Sequence, residues 1–159
     1  MEKFEIKHTE GTHRIISPEE TFAKIEPSLK KCGITRCADI TGLDNIGIPT
    51  FAAIRPPGIV LQTSNGKGIT PMAAKVSALM EAIEVDHAER PLIEKLHLFS
   101  MRELLQKKEC VYNPKKLEML QNVYWNADFR IFWTQGTNLA TGEKIWFPAN
   151  YIYFLLEPT

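Results

Sequence analysis

Helical periodicity marks two stretches of this chain, and short strand-like runs separated by turn formers fill most of the rest. Phe22, Ile25 and Leu29 recur at helical spacing behind Ser17-Pro18-Glu19-Glu20, a hydroxyl N-cap with proline at the first helical position and acidic residues in the first turn. A first helix is therefore predicted up to Gly33, with Pro27 expected to kink or shorten it. Phe4 to Lys7 ahead of it reads as a short strand. Turn formers crowd Thr35 to Pro57, which predicts loop with one strand over Thr50 to Ile54, and another strand is predicted at Ile59 to Gln62. Thr63-Ser64-Asn65-Gly66-Lys67-Gly68 then reads as a turn cluster. It leads into the most strongly patterned helix, from Thr70 as N-cap and Pro71 to about Glu89, before Pro91. Met72, Val76, Leu79, Met80, Ile83 and His87 form its predicted buried stripe, with Lys75, Val85, Asp86 and Glu89 elsewhere. A helix around Ser100 to Lys107, a strand pair across Val123 to Thr134, a turn at Asn138 to Gly142 and a strand near Lys144 to Phe147 complete the pattern. These elements predict a mixed α/β (α+β) fold, with the Thr70 to Glu89 helix packed on a sheet.

Composition narrows the classes. With 159 residues the chain has the length of one ordinary globular domain, without repeats, low-complexity tracts or a clear linker. Lys plus Arg and Asp plus Glu both number 19, so no global field draws it to nucleic acid or an anionic membrane, and any anion site must be local. No apolar run is long enough to span a bilayer, and the start lacks the apolar core of a secretory signal, so a cytoplasmic location is expected. Cys32, Cys37 and Cys110 lack CxxC spacing, which suits packed thiols in a reducing compartment.

Candidate chemistry gathers around the second helix. Projection at 100° per residue places Ser77, Glu81 and Glu84 on one narrow band, expected to border the apolar stripe. Oxygen ligands of this kind suit magnesium, which takes few protein oxygens and shares the rest with water and phosphate. The plain alternative is a solvated glutamate face. One turn ahead, Gly66-Lys67-Gly68 could present backbone N–H groups and Lys67 to a phosphate at a helix N-terminus. Leu61 and Gly68 stand where a Walker A loop needs glycine and a hydroxyl residue, so it is not that motif, and a glycine-rich hairpin with a solvated lysine is the alternative. An anion cradle followed by a carboxylate band is nevertheless the order that a magnesium-nucleotide site requires. His8, His13, His87 and His97 show no zinc-site spacing, and His87 is expected to be packed. Asp39 and Asp44 are expected to cap turns. Arg36 and Arg55 are open between lining an anion site and pairing with buried carboxylates.

Several segments occur in the order seen in the YcaO family, among them Gly33-Ile34-Thr35-Arg36, Ala38-Asp39-Ile40-Thr41-Gly42-Leu43-Asp44, Gly47-Ile48-Pro49, Arg55-Pro56, Gly66-Lys67-Gly68 and Ser77-Ala78-Leu79-Met80-Glu81-Ala82-Ile83-Glu84. The chain resembles that family most densely from Arg14 to Glu89 and more weakly from Thr134 to Pro148. Its N-terminal motifs look like those of the thioamide-forming members of methanogenic archaea. The resemblance implies an enzyme that uses ATP and Mg2+ to activate a peptide backbone amide oxygen, giving an azoline with a side-chain nucleophile or a thioamide with sulfide. It implies nucleotide contacts from Ser77, Glu81 and Glu84, with Glu81 and Glu84 on the metal, and similar contacts from Arg14 and Thr21. No catalytic residue is assigned by it.

Family domains are longer than 159 residues. Residues 1–159 are thus expected to be the N-terminal part of a YcaO domain, whether as half of a split gene, a truncated product or a fragment, incomplete relative to the full domain. The implied partners are a peptide or protein substrate, a complementary chain carrying the second half, a TfuA-type protein, and a second copy in a homo-oligomer. The apolar run Tyr151 to Leu156 is expected to pack on something. A catalytically inactive peptide-binding, partner-binding or dimerisation module is the alternative.

Overall fold

The computed structural model describes residues 5–117 and 125–154 of the chain. Residues 1–87 and 88–159 form two compact units, a division that the sequence pattern did not indicate. In the first, helix α1 (Pro18–Leu29) is followed by strands β1 (Arg36–Asp39), β2 (Thr50–Ile54) and β3 (Thr63–Lys67) and by the long helix α2 (Pro71–Glu89). The second holds β4 (His97–Ser100), α3 (Met101–Gln106), β5 (Arg130–Thr137) and β6 (Lys144–Pro148). The mixed α/β class expected from the sequence holds. The described strands form two antiparallel three-stranded sheets, ordered β1-β2-β3 and β4-β5-β6, where one mixed sheet had been expected.

Both helices of the first unit share one core with its sheet: Phe22, Ile25 and Leu29 of α1, Cys37 of β1, Ala53 of β2, and Ala78, Leu79 and Ala82 of α2, with Cys32 and Ile34 between them. Pro27 is accommodated inside α1 without ending it. Ser17 closes a capping box: its hydroxyl accepts from the Glu20 N–H at 3.1 Å while the Glu20 carboxylate accepts from the Ser17 N–H at 3.0 Å. Ser100 does the same with Glu103 at the start of α3. Ser17→Ala is expected to cost about 1 kcal/mol of stability, read as a lowered denaturant midpoint at unchanged slope.

The turn cluster predicted at Thr63 to Gly68 is strand β3, and the strand predicted at Ile59 to Gln62 is irregular, with Ile59 and Val60 exposed. The cause is the helix above the sheet. A Cβ on Gly66 would stand 2.0 Å from the Ala78 nitrogen and 2.4 Å from the Ala74 carbonyl oxygen, so only glycine allows this strand to approach α2 so closely. Ser64 and Gly66 face the helix, while Thr63, Asn65 and Lys67 face out. The same contact corrects the predicted stripe of α2. Val76 and Leu79 are buried and Ile83 packs on the core as expected, but the buried side also takes in Ala74, Ala78, Ala82 and Asp86, whereas Met80 and His87 are exposed.

Arg55 and Asp86 form a buried ion pair in this unit. Arg55 is 1% exposed and donates from Nη1 to Asp86 Oδ1 at 3.1 Å and from Nη2 to the Leu61 carbonyl at 3.2 Å. Of the two roles open for Arg55, pairing with a buried carboxylate is the one observed. Asp86→Ala should cost about 3–5 kcal/mol by removing one charged partner of a buried guanidinium, and Asp86→Asn, which keeps an oxygen acceptor for Arg55 Nη1, should cost less. Thermal melts of the two variants check this.

In the second unit Leu104, Trp133 and Trp146 form the core with Phe99, Met101, Val111, Trp125 and Ile131 around them. Each buried indole finds an acceptor, Trp133 Nε1 on the Phe99 carbonyl at 2.9 Å and Trp146 Nε1 on Glu109 at 3.0 Å. Strand β4 was not predicted; it pairs with β5 from His97 opposite Trp133 to Ser100 opposite Arg130. Helix α3, strand β6 and the turn in which the Gly142 N–H meets the Asn138 carbonyl agree with the sequence pattern. Phe4, Val123, Leu155 and Leu156, used in the predicted first strand, strand pair and closing run, lie outside the described residues, and residues 5–7 are not in a strand.

Candidate functional site

Helix α2 begins where the sequence places it. The Thr70 hydroxyl accepts from the Ala73 N–H at 3.1 Å and the Thr70 carbonyl from the Ala74 N–H at 3.0 Å. Nineteen residues then run without interruption to Glu89. The alanine side faces the sheet, and the band of Ser77, Glu81 and Glu84 runs alongside it: Ser77 is half-buried and both glutamates are exposed. The band therefore borders the buried alanine stripe on its solvent side. Among the described residues neither Glu81 nor Glu84 takes part in an ion pair or hydrogen bond. Their oxygens remain available.

A cleft of about 590 Å3 opens beside the first turn of the same helix, lined by Gly68, Ile69 and Ala73 together with Arg14, Lys67 and Glu10. A two-bond hairpin positions Arg14: its N–H donates to the His8 carbonyl at 2.9 Å and its carbonyl accepts from the His8 N–H at 3.1 Å. The structure thus brings together Arg14 and Lys67 of the expected nucleotide contacts. Ala73 of the cleft and Ser77, Glu81 and Glu84 share one helical face at spacings of four, four and three residues, so the carboxylate band continues from the cleft along α2. Thr21 is separate from the cleft lining; its hydroxyl donates to the Ser17 carbonyl at 2.9 Å within α1. Lys67 ends strand β3 and does not sit in a flexible loop. His8 and Glu10 also line the cleft, a placement that follows from the hairpin at residues 8–14 and leaves no signal in the sequence.

The remaining polar residues are accounted for locally. The Asp39 carboxylate accepts from the Thr41 N–H at 2.9 Å and Asp44 from the Ile46 N–H at 2.8 Å, so both cap turns. Hydrogen bonds from Thr41 hold the Asp39 carboxyl below its usual range. His87 bonds the Ile83 carbonyl through Nδ1 at 2.8 Å and is exposed, not packed as expected. Cys32 is buried in the core, and burial pushes the half-buried Cys37 thiol up. No disulfide joins the cysteines. Among the described residues no group of three His, Cys, Asp or Glu side chains could hold a metal alone. Two carboxylates with water and phosphate oxygens nonetheless meet what magnesium demands, and the free oxygens of Glu81 and Glu84 fit that ion. Among those residues no helix is long and apolar enough to cross a membrane.

Comparison with known proteins agrees with this architecture. A family model described as YcaO cyclodehydratase, ATP- and Mg2+-binding, matches residues 65–159. The chain belongs to the YcaO family. An uncharacterized protein of Mycobacterium tuberculosis is 40% identical over 143 residues, covering 90% of this chain and 32% of its own length. An uncharacterized protein of Methanothermobacter thermautotrophicus is 31% identical over 146 residues, covering 90% of this chain and 36% of its own length. This chain therefore spans about a third of those relatives. A protein encoded in the tfuA 3′ region of Rhizobium leguminosarum bv. trifolii is 46% identical over 76 residues, 48% of this chain and 18% of its own. The fold matches that of YcaO from Methanopyrus kandleri bound with AMPPCP and Mg2+, with a TM-score of 0.70 at 24% identity over 97% of this chain and 38% of that one. It also matches a heterocyclase in complex with substrate and cofactor, with a TM-score of 0.75 at 19% identity over 98% of this chain and 25% of that one.

Proposed function

We propose that this chain is the N-terminal part of a YcaO-type enzyme that activates a peptide backbone amide with ATP and Mg2+, and that it supplies one side of the nucleotide site. The observation that carries this reading is the open face of α2, where a YcaO-family chain presents Ser77, Glu81 and Glu84 with both carboxylates unengaged among the described residues. Glu81 and Glu84 hold the metal and Ser77 contacts the nucleotide. Arg14 and Lys67, converging at the head of the same helix, offset phosphate charge. Thr21 contributes a hydroxyl from α1. Bound Mg-ATP supplies an electrophilic phosphoryl group whose charge the metal offsets. An amide oxygen is a weak nucleophile, so the work of these side chains is to position and to stabilise developing charge.

The product is an azoline if a neighbouring Cys, Ser or Thr side chain attacks the activated carbon and a thioamide if sulfide does. The relative beside tfuA supports a TfuA-type partner for this chain. Tyr151, Ile152 and Phe154, each nearly half exposed, favour a further protein surface against the second unit, from a complementary chain or a second copy. That same surface is what a catalytically inactive binding module would use. Calorimetric titration of Mg-ATP into this chain, alone and mixed with a chain carrying the remaining length of the relatives, separates the readings. Binding that appears or tightens in the mixture supports a shared site, and binding in neither case leaves the inactive module.

A further inference from the structure

Strand β1 is an edge: in the order β1-β2-β3 nothing among the described residues pairs with its other side. The bond from the Ile40 N–H to the Thr50 carbonyl, at 2.9 Å, fixes the parity of its ladder. Arg36, Ala38 and Ile40 bond towards β2, so the backbone N–H and C=O groups of Cys37 and Asp39 point out of the sheet. Among the described residues none of those groups has a partner. Beside this edge a pocket of about 210 Å3 opens between α1, β1 and α2, lined by the apolar side chains of Phe22, Leu29, Ile34 and Leu79 and by Arg36 and Lys75. The Lys75 ammonium stands 4.2 Å from the centre of the Phe22 ring. Neither cation has an acidic partner among the described residues.

An open ladder, room for one large apolar side chain and two uncompensated cations together describe a surface for strand addition, in which main-chain bonds give affinity and a side-chain pocket gives selectivity. We infer that the β1 edge docks an extended peptide segment, with one aliphatic or aromatic side chain in the pocket and an acidic residue within two positions of it against Arg36 and Lys75. A free carboxylate of small size would use the pocket and leave the ladder open. A second copy paired through β1 would bring only Cys37 and Ala38 as apolar side chains, too small to fill the space. The inference does not depend on the nucleotide reading, because peptide binding is read without ATP.

The test is a titration of the 15N-labelled chain with a capped octapeptide of alternating threonine and valine carrying one leucine with a glutamate two positions to each side of it, on the same face, and with its counterpart carrying lysines in place of the glutamates. The acidic peptide should shift the amide signals of Cys37 and Asp39 and slow their exchange with solvent. It should bind about tenfold more tightly than the basic one, the scale of two partly screened ion pairs. Arg36→Glu with Lys75→Glu should reverse that preference while the chain stays folded by its amide spectrum. Equal affinity for the two peptides, or shifts that avoid β1, would overturn the inference. So would protection of the two amides that rises with protein concentration in the absence of peptide, since that marks self-association at this edge.

Discussion

Replacing Glu81 or Glu84 by glutamine should weaken Mg-nucleotide binding in the assembled enzyme on the order of 100-fold, the upper end of the loss when a group supporting a metal ligand is removed, without lowering the thermal midpoint. Both parts follow from the position of the band. The two carboxylates are exposed and unengaged among the described residues, so neither contributes a contact that the fold needs. Glutamine keeps the size and helix propensity of glutamate and removes only the charge that a hard cation selects. Glu26→Gln, on an exposed position of α1, serves as the control and should leave binding unchanged. Calorimetry with a non-hydrolysable nucleotide reads the affinity. If both α2 variants bind as the parent does, the band is a solvated helix face.

Gly66→Ala should be the most damaging single methyl group in the first unit. The new Cβ would fall 2.0 Å from a backbone nitrogen and 2.7 Å from the Cα of Ala78, and backbone cannot move aside as the end of a flexible side chain can. The strand must separate from α2 or the helix must shift, and either change disturbs the core formed by Ala78, Leu79 and Ala82. A cost of about 3 kcal/mol, the upper end for overpacking, is expected. Gly42→Ala, where nothing stands within 4 Å of the added carbon, should cost less than about 0.5 kcal/mol. Denaturant melts of the two variants decide the matter. Equal tolerance at both positions would show that Gly66 belongs to a loop of the kind the sequence pattern suggested. The consequence for function is direct, because the same approach of β3 to α2 places Lys67 at the cleft and turns the carboxylate band outward.

The sequence by itself determined the elements whose signals are local. The two helix starts at Ser17 and Thr70 carry their own capping groups, and capping is an interaction between a side chain and N–H groups two or three residues away. The band of Ser77, Glu81 and Glu84 was legible for the same reason, since its spacing depends only on the helix period. Tertiary structure decided which side of α2 is buried. Apolar periodicity found Val76, Leu79 and Ile83 but also pointed to the exposed Met80, whereas the sheet added the alanines, because close approach of a glycine strand rewards small side chains more than large ones. It also made a strand of the polar, glycine-bearing segment Thr63–Lys67, whose β-propensity is poor, by pairing it with β2 and pressing it on a helix. The pairing of Arg55 with Asp86, 31 residues apart, and the meeting of Arg14 with Lys67 in one cleft are likewise products of the fold. Residues distant in the chain leave no periodic signal of their proximity, and only packing brings their chemistry together.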